Sequence, residues 1–453
     1  MECFTGAPTL PLIGNALDFK SPTDFIPRSL EYKKLYGDVV NIFIGLDQVL
    51  VINNVKLIEY ILTSTKNLDK GMEYQYFHET WKKHRKLIAP SFNTTLLERF
   101  LQIFKSNSLL LVGKFKKEVG KSSFDVCNYI SLCSLDIICE STMGTSVNAQ
   151  NAVHSDYVTA VKLICSVITE RWFSLFRYDC FYIFSSLYEK EKEAVSVLHK
   201  TTDDVIEMNK RRINFKMSKE SETNGIKKPA FLDLLLRHNQ NKDMTEDEIK
   251  DEVNTFMFAG HDTVSSVLSF ALYCLSNNPE VQRKVVEEMD AILGKNTQRP
   301  LRLQDIQSMK YLDAVIKESL RLYPPVPFIG RTVSEEFQFD GKTIPKGTSL
   351  LLNIYGIHHD PNVYPDPQSF KPERFMGADN ASRPRYAFIP FSSGMRDCIG
   401  QKFAMLEVKS SVCVLLQHYE FLSPFPKHEV LLSAEMILVS RNGIRVRIVE
   451  RKR

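Results

Sequence analysis

No run of 18 or more apolar residues occurs in the 453-residue sequence, so it encodes no membrane-spanning helix. It has no C-x-x-C pair either, and its nine cysteines are an odd, scattered set. That argues against a disulfide framework or a structural zinc site and for a reducing setting. Charge of one sign is also missing: 58 basic against 54 acidic residues leaves a net +4, too little to argue for nucleic acid. The opening "MECFTGAPTLPLIGN" has no basic region and no apolar core ahead of its prolines, unlike a signal peptide. Composition is otherwise that of a globular protein, and length alone allows two or three domains.

β-rich runs flank a glycine turn at 39–54, predicting a hairpin. A second hairpin is predicted at 436–452 around Asn442-Gly443. Helical periodicity dominates between them, over 99–119, 125–142, 154–171, 188–212, 245–275, 279–292, 305–323 and 400–417. The polar stretch 214–228 reads as a mobile surface loop. From 324 to 398 the chain turns rich in Pro, Gly, Asn and Asp, a long irregular stretch of the kind that is usually functional.

Three segments carry chemistry. The helix predicted from 245 opens on a capping box, Thr245 with Glu248, and carries Gly260, Asp262 and Thr263 in its apolar middle. A core helix gains nothing from these residues, because Gly weakens the helix and a buried Asp costs desolvation. A packing kink and a widened groove with a proton donor both fit. Glu318 and Arg321, spaced i,i+3 ahead of Pro324-Pro325, form either a solvated pair or a buried one with Arg374 of "FKPERF" as a further partner. In "PFSSGMRDCIGQKFAMLEVK" (390–409), Cys398 stands between Gly394 and Gly400 at a helix start, where dipole and amides favour a thiolate. The other cysteines read as small buried hydrophobes. A lone thiolate without protein co-ligands suits a metal whose other positions a macrocycle fills, as in haem.

On these residues the chain resembles the cytochrome P-450 (haem-thiolate monooxygenase) family. Phe391-x-x-Gly394-x-Arg396-x-Cys398-x-Gly400 matches its haem signature, Glu318-x-x-Arg321 its K-helix pair and "PERF" (372–375) the segment completing that network. "AGHDT" (259–263), "WKKHR" (81–85) and "PLIGN" (11–15) match its oxygen-activating, C-helix and proline-rich stretches. "LDIICESTMGTSVNAQ" (135–150), "FLDLLL" (231–236), "FMFAGHDT" (256–263) and "CIGQKFAMLE" (398–407) are similar to family 4, and the likeness is to insect-type members.

The resemblance implies one catalytic domain over 1–453, mainly α with small β-sheets, with haem b between the long I helix and the Cys loop and L helix. It makes Cys398 the axial ligand, with Phe391 packed beside it. Trp81, Arg85, Arg331 and Arg396 become propionate partners, and Gly394 and Gly400 shape the loop. Asp262 and Thr263 would deliver protons while Gly260 leaves room in the helix. Glu318, Arg321 and Arg374 would be structural, and His84 packing or surface. Phe256, Ala259, Val326, Pro327 and Phe328 are the expected pocket lining.

The implied reaction inserts one oxygen atom into a C–H bond of a lipophilic substrate: a fatty acid, hormone, odorant or xenobiotic. An NADPH-dependent reductase supplies the electrons, with cytochrome b5 as an alternative donor. "WKKHRK" (81–86), Lys402 and Lys409 are the expected docking face. The expected location is the cytoplasmic face of the endoplasmic reticulum membrane, without nucleic acid as a partner. A reductase-independent haem-thiolate isomerase or dehydratase is the alternative, as is a haem- or lipid-binding variant that has lost turnover.

Three departures from the pattern stand out. Ala259 replaces a glutamate that in family 4 often esterifies the haem, so non-covalent haem is expected. The chain starts at the hinge, where relatives carry an apolar anchor. "DKGMEYQYFHETWKKHR" (69–85) is shorter than usual ahead of the C helix, so the pocket roof reads as truncated.

Overall fold

The computed structural model describes residues 4–65, 70, 81–92, 94–152, 155–172, 174–219, 231–296 and 299–452. Helices α1 (Phe25–Tyr36), α2 (Val55–Thr63), α3 (Trp81–Ile88), α4 (Thr94–Phe115) and α5 (Cys127–Ile138) come first, α5 running into a π turn over Cys139–Met143. Next are α6 (Asp156–Trp172), α7 (Asp179–Tyr182), α8 (Ser186–Lys219), α9 (Phe231–Gln240) and the long α10 (Glu246–Asn277). The last helices are α11 (Pro279–Leu293), α12 (Leu303–Ser308), α13 (Lys310–Leu322), α14 (Ile354–His358), α15 (Gly377–Ser382) and α16 (Gln401–His418).

The strands form small separate sheets. Antiparallel β1 (Val39–Ile44) and β2 (Asp47–Ile52) turn at Gly45, whose φ is +64°. β2 pairs parallel with β7 (Ser349–Asn353), and β7 antiparallel with β4 (Phe328–Thr332). β5 (Phe337–Phe339) and β6 (Lys342–Ile344) form a ribbon. β11 (Arg445–Glu450) lies between β3 (Phe124–Asp125) and β8 (Tyr419–Leu422), while β9 (Leu432–Ala434) pairs with β10 (Leu438–Ser440).

α10 is the axis of the molecule, packing on α5, α8, α13 and α16. From Val264 to Ser276 every residue is buried, as expected of a helix apolar on all sides. Its first half differs: Asp251, Thr255 and Ala259, spaced i,i+4, stay exposed along one face. Cores under α10, α4, α5 and α16 and under the four-stranded sheet hold this frame.

Three expectations change, and a fourth falls largely outside the described residues. β10 and β11 do not pair with each other, although Gly443 takes the positive φ (+73°) expected of the turn. The Asp125 carboxylate explains this, because it accepts the Ile444 N–H (3.0 Å) and draws β11 toward β3. The helix expected over 305–323 breaks at Met309 into α12 and α13. Helix α8 continues to Lys219, so the polar stretch begins as helix, and residues 220–230 lie outside the described residues. The shortened segment 69–85 is described only at Lys70 and from Trp81 on.

Candidate active site

The loop before α16 is built around one close approach. A Cβ on Gly394 (φ +76°) would come within 2.0 Å of the Leu62 carbonyl oxygen of α2, so only glycine fits there. The Cys398 N–H donates to the Phe391 carbonyl (2.9 Å), closing the loop on itself. Cys398 is exposed, although nearby protein still desolvates its thiol. Enclosure pushes the thiol above its ordinary range, against the pull of the Gly400 N–H and Arg85, and Asp397 adds to the rise. The Gly400 amide favours the thiolate, as expected of the helix start, while desolvation opposes it, and a bound metal cation would supply the charge that stabilises it.

This sulfur fits a haem. Among the described cysteines, Cys133, Cys139, Cys165, Cys274 and Cys413 are buried and pushed upward by desolvation, and Cys180 lies exposed on α7. Among the described residues no three His, Cys, Asp or Glu side chains gather as a metal site, so Cys398 would bring no protein co-ligand. Phe391 lies half-buried against the main core, and on Gly400 a Cβ would meet only the Cys398 sulfur, at 3.9 Å.

Arg85, expected to meet a propionate, bonds the residue before Cys398. Its Nη1 donates to the Asp397 carbonyl (2.7 Å) and its Nη2 pairs with the Asp397 carboxylate, bracing the residue beside Cys398. Arg331 is buried on β4, its Nη1 donating to the Gly330 carbonyl (2.8 Å). Arg396 is half-buried in the 3-10 turn Gly394–Arg396. The Trp81 side chain lies outside the described residues. His84 is buried as packing, with Nδ1 2.7 Å from Glu252 and Nε2 3.4 Å from Glu248, fastening α3 to α10.

On α10, Thr245 and Glu248 form the expected capping box. Thr263 Oγ1 donates to the Ala259 carbonyl (2.7 Å), the back-bond that loosens a helix locally. Burial raises Asp262 to about 6, opposed by Lys162 and reinforced by Glu435. Gly260 makes room for a neighbour, since its Cβ would lie 2.5 Å from Ile138 Cδ1 of α5. His261 is fully buried, 2.9 Å from Ser131 Oγ, and held neutral by desolvation at about 3.

Glu318 and Arg321 are both wholly buried. Arg321 Nε and Nη2 grip the Glu318 oxygens at 2.7 and 2.8 Å, and Nη1 donates to the His358 and Pro367 carbonyls. Lys371 N–H donates to Glu318 (2.9 Å), and Arg374 Nε lies 3.3 Å away as an ion-pair partner. These bonds offset the desolvation that a buried pair incurs.

The expected pocket lining divides. Ala259 is exposed on α10. Phe256 stacks on Phe92 (5.6 Å) and meets Phe231 at a tilt (4.3 Å), within the aromatic core that continues to Phe403. Pro327 is buried with its carbonyl accepting Tyr355 N–H, Val326 is half-buried, and Phe328 packs edge-on to Phe25 (4.5 Å). Lys409 leaves the expected docking face, being buried 3.2 Å from Asp313, whereas Lys82, Lys83, Lys86 and Lys402 are exposed. Sequence reading missed Asp397, Glu435 and His358. Only Asp397 had a local signal, its place next to Cys398.

The Cytochrome P-450 family pattern matches residues 5–447. Cytochrome P-450 4V2 of Homo sapiens is 35% identical, covering 99% of this chain and 89% of its own length. Cytochrome P-450 4d1 of Drosophila melanogaster is 36% identical (98% and 93%), and cytochrome P-450 4c21 of Blattella germanica 37% (96% and 91%). With a mainly helical fold of small sheets, such matches over nearly the whole length leave one assignment: the chain belongs to the cytochrome P-450 family, as a monooxygenase with haem iron on a cysteine thiolate.

Proposed function

We propose that Cys398 is that thiolate and that the enzyme oxidises a C–H bond of a lipophilic substrate, using electrons from an NADPH-dependent reductase. The observation that carries this reading is Cys398, exposed in a loop that Gly394, Phe391 and Arg85 hold in place. The haem, when bound, supplies the activation of dioxygen. Arg331 and Arg396, with Trp81, are the residues proposed to meet its propionates, where charge-assisted bonds are strong. Arg85 is proposed to brace the loop as well.

The chain's own part is proton management. Asp262, at about 6, exchanges a proton readily near neutral pH, and the neighbouring Thr263 hydroxyl lies on the same loosened turn of α10. The expected lining residues Phe256, Ala259, Val326, Pro327 and Phe328 are apolar, in keeping with a fatty acid, hormone, odorant or xenobiotic.

Electrons are proposed to arrive beside the Cys loop. A cavity of about 390 Å³ there is lined by Phe391, Gln401, Lys402 and Lys317, and Lys82, Lys83 and Lys86 add charge on α3 for an acidic partner. Among the described residues no helix is long and apolar enough to cross a membrane. Leu10, Leu12, Leu46, Phe181, Ile183 and Phe184 are exposed. The Gly45 N–H bond to the Ile13 carbonyl and the Arg177–Asp47 pair bring their segments to one edge. That edge is proposed to rest on a lipid surface, by resemblance that of the endoplasmic reticulum.

The test is the reduced, carbon-monoxide-bound spectrum together with product formation dependent on NADPH and reductase. A strongly red-shifted Soret band that Cys398→Ser abolishes is expected. A band at the ordinary haem-protein position in the unaltered protein would overturn the assignment of Cys398.

A further inference from the structure

Helix α13 ends in Tyr323-Pro324-Pro325, and that ending orphans two acceptors. The carbonyls of Leu320 and Arg321 would ordinarily take N–H groups from residues 324 and 325, and proline has none. Against this helix end lies His358, the last residue of α14 and wholly buried. Arg321 Nη1 donates to its main-chain carbonyl at 2.9 Å. Burial, then His359 and Arg321, hold the imidazole well below its ordinary range, so it is neutral. The Arg321 and Leu320 carbonyls act on the ring in the opposite sense.

The ring's other edge settles its tautomer. His358 Nε2 lies 3.1 Å from the main-chain nitrogen of Ile389, and a backbone N–H can only donate. Nε2 is therefore the acceptor, and the ring proton sits on Nδ1, available to the orphaned carbonyls. Nδ1 closes no hydrogen bond of full geometry. Burying such a group is a cost a plain packing residue would not bring. From Ile389 the chain runs directly into the ligand loop: its carbonyl accepts Ser392 N–H (3.0 Å), and Phe391 accepts Cys398 N–H (2.9 Å).

We propose that His358 is a positioning residue for the Cys398 loop: its main-chain carbonyl takes the Arg321 bond and its imidazole Nε2 takes the Ile389 amide, so the residue passes the placement of the Glu318–Arg321 helix to that amide. Every link from Glu318 to Cys398 is a hydrogen bond or a few residues of chain. The ring also stacks on Phe388 at 5.3 Å. Ring shape and bridging are thus two separable roles of one side chain.

The inference rests on thiolate ligation by Cys398, which the unaltered protein's spectrum tests independently. The experiment compares His358→Gln with His358→Leu in the haem-loaded protein. A Gln amide keeps both a donor and an acceptor, whereas Leu fills similar space with neither. Two readouts are taken: the reduced, carbon-monoxide-bound Soret band, and amide exchange of a peptide spanning 385–392 against one within α16.

For His358→Leu, part of the protein is expected to shift from the red-shifted to the ordinary band. Exchange should quicken about tenfold in 385–392 alone, the scale of one lost hydrogen bond. His358→Gln is expected to restore both readouts. If the leucine protein does not accumulate, His358→Met, flexible and without a nitrogen acceptor, takes its place. The proposal is overturned if Leu (or Met) leaves band and exchange unchanged, or if Gln and Leu lose the red-shifted band equally. The exchange readout decides the bridge even if the unaltered protein shows only the ordinary band.

Discussion

Arg85 binds Asp397 twice, through the main-chain carbonyl at 2.7 Å and through the carboxylate, so α3 is fastened to the residue immediately before Cys398. The pair is partly open, with 27% and 44% of the two side chains exposed, and solvent screens it. Arg85→Leu is therefore expected to cost only about 1 kcal/mol of global stability. Its larger effect should be local: faster haem loss and a smaller red-shifted band. Unfolding midpoints and haem-transfer rates check this; a large global loss with an intact band would contradict the bracing role.

The buried network should respond in the opposite manner. Glu318 is fully enclosed, and removing it leaves Arg321 as an uncompensated charge. Glu318→Ala is expected to cost about 3–5 kcal/mol and to suppress haem-loaded protein. Arg374→Ala should cost about 1–3 kcal/mol, because its Nε meets Glu318 only as an ion pair and its Nη2 bond to Asp366 is replaceable by water. Denaturant unfolding of the two variants tests the ranking, which equal losses would reverse.

What could be read from sequence was local. The Thr245–Glu248 box and the turn at Gly45 each depend on residues a few positions apart, and each is present. The turn at Gly443 was legible for the same reason. Its strand partners were not, because Asp125, more than 300 residues away, decides where Ile444 goes. Lys409 read as a surface lysine, yet α16 is packed on several sides and that position faces Asp313. Arg85 with Asp397 and His358 with Ile389 have no spacing that sequence could show. Gly260 read as room in the helix, and only the packing of α5 reveals Ile138 beside it.

Ala259 offers the haem no carboxylate, and its neighbour Thr263 has its hydroxyl on the Ala259 carbonyl. Haem is therefore expected to leave the polypeptide completely on extraction with acidified organic solvent. Mass spectrometry of the extracted chain should give the unmodified mass, and haem retained on the polypeptide would overturn this. Ala259→Glu is expected to gain a retained fraction after turnover.

Asp262 makes the stability of the fold depend on pH in a direction that can be worked out. Burial raises its carboxyl from the ordinary 3.8 to about 6, so the folded chain holds this proton more tightly than the unfolded one. Its contribution is fully present below pH ~4 and is lost as pH rises through about 6. The difference of roughly two pK units corresponds to about 2 kcal/mol, after allowing for the residue's partial exposure. Asp262→Asn cannot ionise. It should match the unaltered protein near pH 4.5 and exceed it in stability at pH 7.5, while product formation falls because the proton donor is gone. Glu407 is raised by burial as well, remains in both proteins and cancels in the comparison, as does Glu435 apart from its coupling to Asp262. Unfolding midpoints at pH 4.5, 6 and 7.5 for the two proteins decide it: parallel profiles would mean that Asp262 does not titrate from a buried position. A gain in stability with a loss of turnover would show this carboxylate held for its chemistry, at the expense of the helix that carries it.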